Sequence, residues 1–105
     1  IPSNTILSTT IETNRDYPTW NAPPRVERFF EFSKIKTHRK HLSIEPIMDF
    51  DLDIFLNWIK EINPEAISIG FDNYGANLIE PSREKVEVLI KEIKNFGIEV
   101  HRKFF

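Results

Sequence analysis

The feature that most constrains the fold is a regular alternation of short apolar runs with longer segments of helical periodicity. The first apolar run, residues 5–11, is rich in β-branched residues and has no helical period, which predicts a strand that is covered on both faces. The segments between the apolar runs carry apolar residues every three to four positions, which predicts amphipathic helices. The predicted strands are residues 5–11, 42–45, 66–70 and 98–101.

Local signals mark the ends of the predicted helices. Pro24 suits the first turn of the first helix, and Asp51 or Asp53 can cap the second. Pro81 begins the third helix, and Gly97 is a candidate C-terminal cap. The resulting order is strand, helix, strand, helix, strand, helix, strand, which predicts an α/β fold of parallel (βα) repeats.

Right-handed connections between sequential parallel strands place all the helices on one side of the sheet. That arrangement predicts a single domain over residues 1–105 with the architecture of a partial TIM-like (βα) barrel. Four strands do not close a barrel, so the inner face of the sheet is left bare. We therefore expect a partner, either a missing N-terminal half or a second copy in a homodimer. The start at Ile1 rather than Met adds to the expectation that the chain is a piece of a longer protein.

Composition and charge exclude several classes of function. With no Cys among 105 residues, the chain has no disulfide, no thiolate zinc site, no cysteine nucleophile and no iron–sulfur cluster of its own. A net charge of -2 gives no field that would hold a polyanion, so we expect neither a nucleic-acid nor a membrane partner. No apolar run approaches the roughly 18 residues of a membrane span and no N-terminal signal is present, which predicts a cytoplasmic location.

Polar side chains follow three consecutive predicted strands, at the point where each strand ends. Ligands of parallel α/β folds bind beyond the carboxyl ends of the strands, because the loops there face one crevice. Glu12 and Glu45 are the strongest candidates, since a carboxylate that ends an apolar strand is costly unless it is paired or coordinating. Each candidate taken singly is explained as well by a helix cap, a turn or an ion pair, but their coincidence favours a site. The candidates are Glu12, Thr13, Asn14, Glu45, Asp49, Asp51, Asp72 and Asn73.

Two further segments have open interpretations. The basic tract of residues 36–41 (KTHRKH) is either a solvated connection, which we favour, or a nucleic-acid contact at the opposite edge of the sheet from the acidic residues. Tyr17 and Trp20 lie in a proline-rich loop and either cover the edge of the core or form a lid over the site. The three histidines are too scattered in the sequence to indicate a metal site.

Three stretches carry a resemblance to a known family. They are TTIETNRD followed by NAPP (residues 9–16 and 21–24), LSIEPIMDFDLDIFLNWIKEINPE (residues 42–65) and SIGFDNYGANLIEPSREKVEVLI (residues 68–90). Together they resemble the later half of radical S-adenosylmethionine (radical SAM) proteins, and the small phage- and archaea-associated members look most similar. The string IEPIMDFD at residues 44–51 is the most specific part of the resemblance.

The resemblance implies half of a (βα)6 barrel in which a [4Fe–4S] cluster binds S-adenosylmethionine and cleaves it to a 5′-deoxyadenosyl radical. Family members hold the cluster with three Cys, and this chain has none. The resemblance therefore implies that the parent enzyme uses S-adenosylmethionine and the cluster, whereas this chain alone holds neither and is catalytically incomplete. By position, Glu12, Thr13 and Asn14 would contact the ribose and methionyl parts of the cofactor. The substrate side would be lined by Glu45, Asp49, Asp72 and Asn73.

Two alternative functions remain open, and no catalytic residue is assigned in either. The first is a non-catalytic half-barrel that associates with a second copy, since the bare face and the two unpaired edges of the sheet favour a homodimer. The second is a hydrolase dependent on Mg²⁺ or Mn²⁺, because carboxylate oxygens are the ligands that these ions prefer. Its ligands would be Glu12, Glu45, Asp49 and Asp72, although nothing in their spacing demands a metal.

Overall fold

The computed structural model of the protein describes residues 5–16, 24–71 and 79–103. Four strands alternate with three helices in the order that the sequence predicts. The predicted site residues Asp72 and Asn73, and the loop aromatics Tyr17 and Trp20, lie outside the described residues. The elements are β1 (Ile6–Thr10), α1 (Arg25–Lys34), β2 (Arg39–Ile44), α2 (Leu52–Ile62), β3 (Ala66–Gly70), α3 (Arg83–Asn95) and β4 (Glu99–Lys103).

The four strands form one sheet in the order β1-β2-β3-β4, and every neighbouring pair is parallel. This confirms the predicted α/β class with parallel strands that alternate with helices. The described sheet is open, with β1 and β4 as its two edges. In the described part of the chain, no helix is both long enough and apolar enough to cross a membrane.

The hydrophobic core lies between the helices and one face of the sheet. Leu42 and Ile44 of β2, together with Ile67 and Ile69 of β3, point to that face and are fully buried. They belong to one cluster with buried residues from each helix, so α1, α2 and α3 lie on the same side of the sheet, as predicted. The helical members of the cluster are Phe32, Phe55, Ile59, Ile62, Val86, Leu89, Ile90 and Ile93.

The opposite face of the sheet carries mostly small and polar side chains, and the exposed Ile6 of β1 is the large apolar exception among its described residues. In the parallel register Ser43 lies beside Ser68, and Ser68 lies beside His101. Residues two positions away along each strand share this face, because side chains alternate along a strand. The prediction that the first strand is covered on both faces is wrong, since Ile6 and Ser8 of β1 are exposed. We call this surface the open face, and its strand residues are Ile6, Ser8, Thr10, Arg39, His41, Ser43, Ala66, Ser68, Gly70, Glu99, His101 and Lys103.

Only part of the basic tract of residues 36–41 forms the solvated connection that the sequence predicts. Strand β2 begins at Arg39, so Arg39, Lys40 and His41 belong to the sheet. Lys40 points to the helical side and is 4% exposed, and its Nζ donates a hydrogen bond of 3.1 Å to the carbonyl of Ile62. Burial of the Lys40 side chain and the nearby charge of Lys36 lower the pKa of Lys40. A long aliphatic stem lets such a lysine occupy a core position while its ammonium reaches a carbonyl at the end of a helix.

The helix ends lie close to the residues that the sequence signals mark, although α3 begins at Arg83, two residues after Pro81. Ser82 caps α3 by accepting a hydrogen bond of 3.1 Å from the backbone nitrogen of Lys85. Gly97 follows α3 with a φ of 82°, a left-handed conformation that favours glycine. Asp51 occupies the N-cap position of α2, but its carboxylate makes no capping hydrogen bond to the helix. That carboxylate instead binds side chains from the loop after β1, which places it in the site described next.

Candidate functional site

The loops that follow β1 and β2 meet at the carboxyl edge of the sheet. The backbone nitrogen of Met48 donates to the carbonyl of Glu12 over 3.1 Å, which joins the two loops directly. The hydroxyl of Thr13, which is fully buried, donates to the carbonyl of Asp49 over 2.6 Å. The predicted convergence of polar residues at this edge is thus found for the residues after β1 and β2.

Glu12 is held in a buried ion pair with α1. Its Oε1 accepts a hydrogen bond of 3.2 Å from Nε of Arg25, and the two residues are 7% and 1% exposed. Nη2 of Arg28 lies 3.3 Å from the same oxygen, but without the alignment of a hydrogen bond. Arg25 also donates to the carbonyl of Arg15 and contacts the sulfur of Met48. Burying a guanidinium requires such partners, so the pair fixes the loop after β1 against the first turn of α1.

Asp16 stabilises the start of the same helix. Its Oδ1 accepts a hydrogen bond of 2.9 Å from the backbone nitrogen of Arg25, the first residue of α1. Pro24 stands at the N-cap position and provides no side-chain cap. A carboxylate at this place satisfies one of the free N–H groups and interacts favourably with the helix dipole.

A second charged network joins the loop after β1 to α2 and α3. Arg15 forms a two-bonded contact with Asp51, through Nε at 3.1 Å and Nη2 at 2.7 Å, and its Nη1 lies 3.1 Å from Asp49. Nζ of Lys85 donates to Oδ1 of Asp49 over 2.7 Å and also to the carbonyl of Phe50. The network brings together two acidic and two basic side chains, which leaves little net charge at this edge of the sheet.

These contacts lower the pKa of both aspartates. Hydrogen bonds from Arg15 and Asn14 hold the pKa of Asp51 at about 2. For Asp49, burial raises the pKa, but hydrogen bonds from Lys85 and the Phe50 backbone, with the charges of Lys85 and Arg15, outweigh burial and lower it. Both carboxylates are therefore ionised at neutral pH and act as hydrogen-bond acceptors.

Asn14 completes the link between the two loops. Its Nδ2 donates to Oδ2 of Asp51 over 3.0 Å, and its Oδ1 accepts from the backbone nitrogen of Asp51 over 2.8 Å. Glu12, Thr13 and Asn14 thus each have an internal partner, and of the three only Asn14 is half-buried rather than buried. A role for these residues in cofactor contact stays a prediction.

Glu45 lies apart from both charged networks, on the open face. Its Oε2 is buried and has no hydrogen-bond partner among the described residues. The carboxylate lies against Gly70, where an added Cβ would come within 2.8 Å of Oε2 and 2.8 Å of the Lys103 carbonyl. Gly70 is therefore required for the Glu45 side chain to lie on β3.

Sequence reasoning missed a histidine cluster on the open face. Oγ of Ser8 lies 3.2 Å from Nδ1 of His41, and Oγ of Ser68 lies 2.9 Å from Nε2 of the same ring. Burial, followed by the positive charges of His101 and Lys103, lowers the pKa of His41. His41 and His101 are 60 positions apart in the sequence, yet they lie two strands apart on one face. Side chains alternate between the two faces along β2 and β4, and once the register of both strands with β3 is known, this alternation puts the two histidines on the same face.

The described residues offer no metal site. Among them, no three His, Cys, Asp or Glu side chains are grouped so that they could hold a metal ion. Glu12 and Asp49 are each paired with basic side chains, which compete with a cation for the carboxylate oxygens. The hydrolase interpretation gains no support from these contacts.

Comparisons of the chain with protein-family models, curated proteins and solved structures find no match. The class of the protein is therefore defined by its fold and its site alone. It is an α/β domain with an all-parallel, sequentially ordered sheet, helices on one side and a polar face on the other.

Proposed function

We propose that the chain is the C-terminal half of the barrel of a radical SAM enzyme, and that it supplies residues to the cofactor and substrate sites. The observation that carries the proposal is the combination of sequential parallel strands, helices on one side only, and a polar open face. In doubly wound sheets helices cover both faces, whereas in a (βα) barrel the face opposite the helices lines the interior. The resemblance over residues 9–90 supports the same assignment.

The iron–sulfur cluster does not fit this chain. A [4Fe–4S] cluster is held by cysteine thiolates, and the sequence contains no Cys. The ligands of the cluster must come from a segment or chain other than these 105 residues. We therefore assign to this chain no step that passes through the cluster, and the chain by itself is catalytically incomplete.

Of the three residues at the carboxyl edge that are predicted to contact S-adenosylmethionine, we assign one to the contact itself and two to holding it in place. Glu12 and Thr13 are buried and bonded internally, so their role is to hold the loop in place. Asn14 is half-buried, and its amide is oriented by Asp51. We assign to Asn14 the polar contact to the cofactor, and to Glu12 and Thr13 the positioning of that contact.

Nuclear magnetic resonance (NMR) titration of the ¹⁵N-labelled chain with S-adenosylmethionine tests this function. We expect saturable shifts at the backbone amides of residues 12–14, and a loss of affinity of roughly tenfold in Asn14→Ala, because one polar contact to the ligand is removed. Asn95→Ala, at the exposed end of α3, is the matched control and is expected to bind as the unchanged chain does. A well-dispersed spectrum with no saturable shift would overturn the proposal.

A homodimeric, non-catalytic half-barrel is the second candidate. Two observations favour it: the described sheet has two unpaired edge strands, and most residues of its open face are exposed or half-buried. Light scattering of the purified chain over a range of concentrations tests it. A dimer supports this candidate, and a monomer at every concentration rejects it.

A further inference from the structure

The open face holds the carboxylate of Glu45, whose burial is not explained by the contacts described above. Oε2 of Glu45 is buried without a hydrogen-bond partner in the described part of the chain, and Glu45 makes none of the ion pairs found there. Leaving a buried acceptor unpaired is costly, and the cost is greater for an ionised group. A donor supplied by a bound molecule, most favourably a cationic one, would remove this cost.

Basic side chains face Glu45 from the other side of β3. The register places Gly70 beside Lys103 and Ser68 beside His101, and the Glu45 side chain lies over Gly70. Glu45 and Lys103 therefore flank the same glycine from neighbouring strands. His101 and Lys103 share the open face with His41, and after burial their positive charges lower the pKa of His41. His101 also lies 3.6 Å from the carboxylate of Glu99.

Small residues form the floor between the two charged sides. Ala66 and Gly70 on the open face of β3 each have a larger side chain on the strands to either side, whereas Ser68 lies between Ser43 and His101. Ser68 is fixed by its contact of 2.9 Å with Nε2 of His41. These residues form a strip of small side chains along β3, with Glu45 beside it at the end of β2 and His101 and Lys103 beside it on β4. We call it the polar trough.

We propose that the polar trough binds a small zwitterion of the α-amino-acid class, with its ammonium group at Glu45 and its carboxylate at Lys103 and His101. The proposal rests on the proposed function, in which the open face lines the barrel interior, and it names the chemical class of the substrate. Glu45 and Lys103 carry opposite charges on the two sides of Gly70, so a ligand with both an ammonium and a carboxylate group offers a partner to each.

Titration of the ¹⁵N-labelled chain with L-alanine, the simplest chiral member of this class, tests the proposal. We expect saturable shifts centred on the amides of Ser68, Gly70 and His101. N-acetyl-L-alanine removes the ammonium charge and L-alaninamide removes the carboxylate, so each is expected to bind roughly tenfold more weakly or worse. Equal binding of the three compounds, or no saturable shift with L-alanine, would overturn the zwitterion site.

A matched pair of variants assigns the ammonium contact. Glu45→Gln removes the negative charge and is expected to weaken L-alanine binding by roughly tenfold, to the level of N-acetyl-L-alanine. Glu65→Gln, which lies in an exposed ion pair with Arg39 at the start of β3, is expected to leave the affinity unchanged. Unchanged binding in Glu45→Gln would contradict the assignment, and if that variant does not fold, the three compounds still decide the question on the unchanged chain.

The outcome is separable from that of the proposed function. Shifts of residues 12–14 with S-adenosylmethionine report binding at the carboxyl edge, and shifts of Ser68, Gly70 and His101 with L-alanine report binding at the trough. S-adenosylmethionine has an α-amino-acid group of its own, so only its shifts at residues 12–14 count for the proposed function. A chain that binds L-alanine but not S-adenosylmethionine keeps the zwitterion site and loses the radical SAM assignment. A chain with the opposite behaviour keeps the assignment and loses the site.

Discussion

At the scale of single residues, the ion pair between Glu12 and Arg25 is the most deeply buried polar contact at the carboxyl edge. Removing one partner of such a pair leaves an uncompensated charge, so we expect Glu12→Ala to lower the free energy of unfolding by about 3–5 kcal/mol. Glu31→Ala, which breaks an exposed pair with Lys34, is expected to cost about 0.5 kcal/mol or less. Urea unfolding of both variants measures the difference, and similar losses would show that the buried pair has no special role.

The loss of stability at low pH is expected to report the contacts that Asp51 makes in the network around Arg15. Because the pKa of Asp51 is about 2 in the folded state and 3.8 is its ordinary value, the folded protein binds fewer protons than the unfolded chain between these values. The contacts of Asp51 therefore stabilise the fold above pH 3.8, and this contribution is lost as the pH falls through about 2.

Thermal unfolding at a series of pH values checks this expectation. Asp51→Asn is expected to reduce the loss of stability in the acid range, whereas Glu61→Gln, on the exposed surface at the end of α2, is expected to retain it. An acid transition of the same size in Asp51→Asn and in the unchanged chain would contradict the role assigned to Arg15 and Asn14.

His41 provides a test of the arrangement on the open face. Its pKa lies below 6.5 because of burial and the charges of His101 and Lys103, so Lys103→Met is expected to raise it towards 6.5. Lys60→Met, on the outer surface of α2, changes the same charge and is expected to have no effect on His41. Proton NMR of the imidazole ring measures the pKa directly. An equal response to both variants would mean that Lys103 does not lie over the trough.

At the scale of the elements, Gly97 and Gly70 resist substitution for different physical reasons. Gly97 has a φ of 82° and nothing within 4 Å of an added Cβ, so Gly97→Ala is expected to cost about 1 kcal/mol from backbone strain alone. Gly70→Ala meets Glu45 and the Lys103 carbonyl, and such overpacking costs about 1–3 kcal/mol.

Substitution by asparagine distinguishes backbone strain at Gly97 from overpacking at Gly70. It tolerates the left-handed conformation, so Gly97→Asn is expected to be more stable than Gly97→Ala. At Gly70 the larger side chain increases the clash, so Gly70→Asn is expected to be less stable than Gly70→Ala. Denaturant unfolding of the four variants gives both orders, and the same order at both positions would reject the distinction.

The elements themselves are largely predictable, because their signals are local. β-branched runs and helical periodicity identify all four strands and all three helices in the described ranges, with ends that differ by a few residues. The start of β2 is the main error. Arg39, Lys40 and His41 resemble a solvated tract by composition, but β2 places Lys40 among the helices and His41 on the open face. Composition alone does not show which face each residue takes.

The candidate site is predictable only where topology determines it. The rule that loops meet beyond the carboxyl ends of parallel strands correctly groups Glu12, Thr13 and Asn14 with Asp49. The partners of these residues are not predictable, because Arg15, Arg25 and Lys85 reach them from positions set by tertiary packing. The cluster on the open face depends on strand register, which pairing between distant segments fixes.

At the scale of the whole molecule, the sheet separates a helical side from a polar side. The described sheet has two unpaired edge strands, and β1 is partly protected: Nη1 of Arg28 donates over 2.7 Å to the carbonyl of Thr10, at the end of the edge strand. Covering an edge carbonyl in this way limits strand addition at that point. The central claim is that the open face lines the interior of a barrel whose cofactor binds at the carboxyl edge.

Thiol labelling gives the most direct test of that claim, because the chain contains no Cys and single cysteines report without interference. Thr10→Cys places a thiol on the open face near the carboxyl edge, and Val88→Cys places one on the outer surface of α3. We expect S-adenosylmethionine to slow the labelling of Thr10→Cys while the rate for Val88→Cys stays constant. Equal rates with and without the cofactor at both positions would contradict the account of the open face as the interior of a cofactor-binding barrel.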